Sequence, residues 1–156
     1  MNYISTRGKA PVLNFEEAML TGLARDGGLY VPQSIPVFSA DEIRSMSNLS
    51  YEEIAFKVIS PFVGDCFSDD ELLKIINKAY SHFGHKDRAP LVELESNHFL
   101  LELFHGPTLA FKDFAMQLIG QCFQVALERK KSRVTIVGAT SGDTGSAAIE
   151  AFRGLD

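Results

Sequence analysis

With 156 residues, 46% of them hydrophobic and 22% charged, the chain can bury the core of one ordinary globular domain. A net charge of -5 without any cluster of five or more basic residues argues against a nucleic-acid surface. No apolar run approaches the roughly 20 residues that span a bilayer, which argues against membrane insertion.

The opening, Met1-Asn2-Tyr3-Ile4-Ser5-Thr6-Arg7-Gly8, has no apolar signal core, so a cytoplasmic protein is expected. Cys66 and Cys122 lie far apart and form no CxxC pair, which fits a reducing compartment. A first helix is predicted from Asn14 to about Arg25, ended by Asp26-Gly27-Gly28, which turns the chain into Leu29-Tyr30-Val31-Pro32. Three serines then stand three residues ahead of a glutamate: Ser39 and Glu42, Ser50 and Glu53, Ser68 and Glu71. Each pair has the spacing of a capping box, in which hydroxyl and carboxylate satisfy each other's backbone N–H, and each serine cap is worth about 1 kcal/mol. The helix after Ser50 is expected to bury Ile54, Val58 and Phe62, and the one after Ser68 to bury Leu72, Ile75, Ile76, Ala79 and Phe83.

Beyond Asp87-Arg88-Ala89-Pro90 the period changes. Leu91 to Glu95 and Phe99 to Phe104 read as a β-hairpin around Ser96-Asn97. A Gly-Pro loop leads to a long helix from about Asp113 to Lys130, with Phe114, Leu118, Cys122 and Ala126 on its apolar side. Arg129, Lys130 and Lys131 suit its negative C-terminal end. Val134-Thr135-Ile136-Val137 reads as a strand covered on both faces, and a last helix as running from about Asp143 to Phe152. Such a strand needs neighbours. Only one strand-loop-helix unit of that kind is present, so the remainder of a parallel sheet is expected beyond Asp156.

Lys112 is the first candidate for chemistry. It stands in Gly106-Pro107-Thr108-Leu109-Ala110-Phe111-Lys112-Asp113-Phe114, at the threshold of the long helix. A neutral amine attacks a carbonyl carbon, and apolar neighbours such as Phe111 and Phe114 would penalise the ammonium form. The plain alternative is a lysine reaching to solvent at a helix start, with Asp113 as the helix cap. The second candidate is Gly138-Ala139-Thr140-Ser141-Gly142-Asp143-Thr144-Gly145. Its hydroxyls, glycines and following helix N-terminus make a seat for a carboxylate or phosphate, against an ordinary loop capped by Asp143.

Other motifs fail. The dinucleotide fingerprint, the phosphate loop of triphosphatases and the nucleophile elbow each miss a required residue in this loop. His82 and His85 have no third ligand nearby, so no metal is assigned. His105, beside Gly106 and near the lysine loop, could contact a ligand, against the plainer reading of a solvent-facing turn residue.

Together these segments resemble the threonine synthases, pyridoxal-phosphate enzymes of the tryptophan-synthase-like group. Tyr3 to Gly8 is similar to the family's opening and Gly22 to Pro32 to its next signature. Phe104 to Phe114 resembles the cofactor-lysine motif, and Ala139 to Gly145 the substrate loop. The resemblance implies an α/β fold: a helical N-terminal region over 1–88, then over 89–156 the incomplete beginning of a three-layer α/β pyridoxal-phosphate domain. It implies that Lys112 holds pyridoxal 5'-phosphate as a Schiff base and moves protons at the substrate carbons. Thr140, Ser141, Gly142 and Thr144 would hold the substrate carboxylate. Asp143 stands where related enzymes carry an Asn facing the cofactor's 3-oxygen, and an ionised carboxylate there needs a donor opposite it.

The implied reaction converts O-phosphohomoserine and water to threonine and phosphate, in a monomer or homodimer without metal, nucleic acid or membrane. Arg7, Lys9 and Lys86 are basic candidates for the substrate phosphate, none of them assigned. The family's glycine-rich cradle for the cofactor phosphate is expected past Asp156, so residues 1–156 alone are expected to bind cofactor weakly and to be inactive. The rival readings are a related enzyme such as a threonine dehydratase, and a catalytically dead relative that only binds a ligand.

Overall fold

Each serine–glutamate pair starts a helix where its spacing predicts. The computed structural model describes residues 1–155; Asp156, the end of the expected second region, lies outside the described residues. Ser39 opens helix α2 (Ala40–Ser45) and Ser50 opens α3 (Tyr51–Val63), both with complete capping boxes. Ser68 opens α4 (Asp69–Tyr80), its backbone N–H donating to Glu71 Oε2 at 2.9 Å while Glu71 N–H donates to Ser68 Oγ at 3.3 Å. A further box, unforeseen because it uses asparagine, opens α1 (Phe15–Thr21): Asn14 Oδ1 accepts from Glu17 N–H at 2.9 Å. Helix α1 stops short of the expected Arg25 because Gly22 turns to φ 66, a left-handed value that suits glycine and ends the helical path.

The chain forms two compact units, Met1–Lys74 and the residues from Ile75 onward. In the first, β1 (Tyr3–Ser5) pairs antiparallel with β2 (Tyr30–Pro32), Tyr3 opposite Pro32. Asp26 ties the turn between them. Its carboxylate accepts from Ser5 Oγ at 2.7 Å and from the Lys9 and Gly28 N–H groups, both at 2.9 Å. Lost hydration pushes the Asp26 carboxyl upward, but these donors outweigh it and hold the group below the usual carboxylate range. Tyr3 packs edge-on against Phe15, and Phe15 against Phe67, with Val63 and Ala55 buried near the end and middle of α3. The buried face of α3 is therefore not the expected one: Val58 is exposed and Ala55 and Val63 face inward. Apolar side chains at 54, 58 and 62 satisfy a helical period, but tertiary packing selects the face one residue on.

The second unit contains the C-terminal part of α4, where Ile75, Ile76 and Ala79 are buried as expected. Strands β3 (Leu91–Glu95) and β4 (His98–Leu101) form the expected hairpin, with Asn97 at φ 60 in the turn. β4 ends before Phe104 because the chain leaves the ladder to give the His105 carbonyl to Gly84 N–H at 2.8 Å. Helices α5 (Asp113–Lys130) and α6 (Asp143–Phe152) match their predicted spans. They pack closely: a Cβ on Gly120 would lie 2.7 Å from the Ala151 carbonyl oxygen, and Phe123 meets Phe152 edge-on at 5.8 Å.

This contact sets the buried face of α5. It holds Asp113, Gln117, Gly120, Gln121, Cys122 and Ala126; of the expected stripe Cys122 and Ala126 are buried, while Phe114 and Leu118 are only half-buried. The predicted strand over 134–137 is not formed. That segment has no regular secondary structure and Val137 is 90% exposed; a strand needs a ladder partner, and none pairs with it among the described residues. No helix of the described residues is long and apolar enough to cross a membrane.

Candidate active site

Two loops of the second unit meet at Lys112. The first, 104–112, is organised by a carboxylate that the sequence suggests as a helix cap. Asp113 does not cap α5. It is 0% exposed and reaches back into the loop, Oδ2 accepting from Thr108 N–H at 2.8 Å and Oδ1 from the Thr108 hydroxyl at 2.7 Å. Gly106 makes room for it: any Cβ there would stand 2.5 Å from Asp113 Cβ and Oδ2. Leu109 is held at φ 62, a conformation that costs a non-glycine residue about 1–3 kcal/mol and persists only where its surroundings enforce it. Consecutive turns, Leu109 N–H to Gly106 O and Asp113 N–H to Ala110 O, then deliver the chain into α5. Lys112 is the N-cap of that helix and makes no side-chain cap bond.

Lys112 Nζ lies 4.6 Å from the Phe111 ring centroid and 3.9 Å from Asp143 Oδ2. Its side chain is 29% exposed while that of Asp143 is 74% exposed, so the ion pair itself is worth at most about 1 kcal/mol. Its importance is positional, since it joins the two loops. Phe114, expected beside the amine, packs instead with Phe83 at 4.9 Å and Tyr80 at 6.4 Å. Phe111, which precedes the helix, is the ring that lies beside the amine.

In the second loop Thr140 acts as the organiser. Its Oγ1 accepts from Gly142 N–H at 3.2 Å and from Gly145 N–H at 3.0 Å, and a Cβ on Gly145 would strike it at 2.7 Å. Gly142 adopts φ 140, a value closed to L side chains, and precedes α6 without any side-chain cap. Asp143 is therefore not a cap but the first helical residue. The N–H groups of Asp143 and Thr144 are among those a helix start leaves without intrahelical partners. Ser141, Gly142, Asp143 and Thr144 are all exposed. An amine, a carboxylate beside it, and a helix start rich in free donors can together take a small molecule bearing a carbonyl and an anionic group.

His105 does not face solvent as expected. Its Nε2 lies 2.6 Å from Glu102 Oε2, its ring stacks near His85 at 5.1 Å, and the side chain is 21% exposed. No cluster of His, Cys, Asp and Glu among the described residues could hold a metal ion. Neither cysteine is in a disulfide, and burial pushes the Cys122 thiol up to about 12, which makes it inert as a nucleophile at neutral pH. Two hollows of ≈ 410 Å³, one beside Phe123 and Phe152 and one beside Gln117 and Gln121, are lined by neither Lys112 nor the 138–145 loop. Sequence reasoning missed the Thr108–Asp113 clamp and the Thr140–Gly145 contact. The only signal for either was a threonine five residues ahead of an aspartate or a glycine.

Residues 2–80 match the family model described as threonine synthase N terminus. The chain belongs to the threonine synthase family. A threonine synthase from Pseudomonas aeruginosa is 55% identical over 156 residues, which cover all of this chain and 33% of that protein. The crystal structure of a PLP-bound threonine synthase from Brucella melitensis superimposes with a TM-score of 0.96 at 54% identity, covering 100% of this chain and 34% of that one. The yeast threonine synthase structure gives 0.90 at 39% identity, over 99% of this chain and 33% of that one. The chain thus spans about a third of the length of the family members it matches. Its mixed helix and strand architecture is that of the corresponding part of those structures.

Proposed function

We propose that this chain is the N-terminal third of a pyridoxal-phosphate-dependent threonine synthase, a lyase acting in the cytoplasm on O-phosphohomoserine and water to give threonine and phosphate. In this reading residues 1–88 are the N-terminal region and 89–156 begin the cofactor domain. The observation that carries it is the convergence of Lys112 and Asp143, from two separate loops, to 3.9 Å. The donor set fits the cofactor: one partly exposed primary amine for its aldehyde, beside an aromatic ring.

When bound, pyridoxal phosphate supplies the electron sink for carbanions at the substrate carbons. Lys112 holds the group in place and then carries protons to and from those carbons. Asp143 keeps the amine turned toward the second loop. Ser141, Gly142 and Thr144 receive the substrate carboxylate with hydroxyl and backbone donors at the start of α6. Thr140 serves them mainly by shaping the loop, because its oxygen already accepts two N–H groups; its own proton remains available to donate.

The test is borohydride reduction of the full-length protein with pyridoxal phosphate, followed by peptide mapping, alongside a product assay. Label on the peptide carrying Lys112 with phosphate and threonine from O-phosphohomoserine is the expected result. Ammonia and a keto acid from threonine would indicate a dehydratase. An unlabelled Lys112 peptide would leave a protein that only binds its ligand. The 156-residue chain alone is expected to bind the cofactor weakly and to give no turnover, and robust turnover by it would contradict this.

A further inference from the structure

We infer that Asp113 is a positioning residue for Lys112, acting as a clamp that holds the 106–112 loop in the one shape that aims the amine at the 138–145 loop. The inference rests on the reading of Lys112 as the cofactor lysine and adds to it a residue that touches neither cofactor nor substrate.

A fully buried aspartate is uncommon, because removing a carboxylate from water is costly unless hydrogen bonds replace the lost hydration. Asp113 is 0% exposed and spends its two oxygens on one residue, Thr108, taking both its N–H at 2.8 Å and its hydroxyl at 2.7 Å. As the first residue of a helix it would ordinarily face its own helix start. It turns away instead, and α5 begins with no side-chain cap. The surroundings are built for this arrangement. Gly106 has no Cβ where one would collide with the carboxylate at 2.5 Å, and the left-handed Leu109 lies inside the segment the clamp encloses.

The geometric consequence falls on Lys112. Its backbone is bracketed by Asp113 on one side and by Phe111, at the end of the clamped loop, on the other. The direction of its Cα–Cβ bond is set by the turn from Ala110 O to Asp113 N–H. With the clamp present, Nζ reaches 3.9 Å from Asp143 Oδ2. Without it, Leu109 relaxes toward an ordinary backbone conformation and the first turn of α5 loses its fixed rotation, so the amine samples many positions. Misplacing a reacting group by about 1 Å can cost about 100-fold in rate.

The experiment uses the full-length protein with pyridoxal phosphate as the probe. It compares Asp113→Ala, Asp113→Asn and the unmodified protein by the rate of borohydride-trapped label on the Lys112 peptide, by the visible absorbance of the bound cofactor, and by kcat and KM. Asp113→Ala is expected to slow labelling and lower kcat by about 100-fold with little change in KM. Asp113→Asn is expected to recover most of the rate. Its amide oxygen can accept from Thr108 N–H and its amide nitrogen can donate to the Thr108 hydroxyl, so the clamp survives without the charge.

Labelling of a folded Asp113→Ala protein at the unmodified rate would overturn the inference. So would an Asp113→Asn variant as impaired as the alanine, since that result assigns the effect to charge and not to the clamp. Should Asp113→Ala fail to fold, Thr108→Val removes only the hydroxyl bond. A folded Thr108→Val protein should label several-fold more slowly, and unchanged labelling would refute the clamp equally. Label that persists in Lys112→Ala would instead defeat the reading of the site, whatever Asp113 does.

Discussion

The helices on either side of the division at Lys74 begin in opposite ways. Those opening in the first unit, α1 to α4, each start with a side chain that satisfies the backbone: Asn14, Ser39, Ser50 and Ser68. Those opening in the second, α5 and α6, start at Lys112 and Gly142, neither of which makes a side-chain cap bond: the carbonyls of Ala110 and Phe111 take the first N–H groups of α5, and Thr140 Oγ1 takes the Gly145 N–H of α6. A capped start is stable and chemically closed, since its donors are used. At α6 the Asp143 and Thr144 N–H groups are among those a helix start leaves without intrahelical partners, with a partial positive charge beside them. Both uncapped starts lie at the loops that meet at Lys112 and Asp143.

That contrast can be broken at several points. The largest effect is expected at Lys112. Lys112→Ala in the full-length protein should lower turnover by about 10²–10⁴-fold or more and abolish covalent labelling, with the melting curve nearly unchanged. Next is the organiser of the other uncapped start. Thr140→Val removes the acceptor for Gly142 and Gly145 N–H. It should cost about 1 kcal/mol in urea unfolding, while raising KM for the substrate about tenfold as the loop loses its shape.

Ser50→Ala provides the converse. It should also cost about 1 kcal/mol, by the loss of a cap, yet leave kcat and KM untouched, and a kinetic effect would show that the two units are not separable in this way. The smallest effect concerns pH. The Glu53 carboxyl is held below its ordinary value, first by the Ser50 backbone N–H and then by the Ser50 hydroxyl. A lowered folded value means stability that is present above the ordinary glutamate range and is lost as pH falls through the folded value. Ser50→Ala should therefore cost most near neutrality and progressively less in acid, measured as the difference between the two urea midpoints across that window.

Much of the fold was legible because it is written in short spacings. A serine with a glutamate three residues on declares a helix start through bonds inside a single turn, and each of the three such predictions matched an observed helix. The hairpin at Ser96-Asn97 and the spans of α5 and α6 were equally local. The buried face of α3 was misjudged because periodicity names a stripe without saying what stands opposite it. The face of α5 was half foreseen, Cys122 and Ala126 but not Gly120 and Gln121, for a sharper reason. Its contact is made by Gly120 against Ala151, and small residues give no hydrophobic signal. Lys112 and the loop around Thr140 were visible as unusual segments, but their meeting was not. Asp113 was read as a cap because caps are what aspartates at helix starts usually are.

Taken alone, the order of amino acids determined where helices begin, which segments turn, and which lysine and which loop are chemically unusual, because those properties depend on groups within a few bonds or one helical turn of each other. The three-dimensional packing decided which helical faces are buried, turned Asp113 back onto Thr108, and brought Lys112 Nζ to 3.9 Å from Asp143. Those outcomes depend on how distant segments share space. Shape complementarity and the satisfaction of buried polar groups settle that, and neither is encoded in the spacing of residues along a single element.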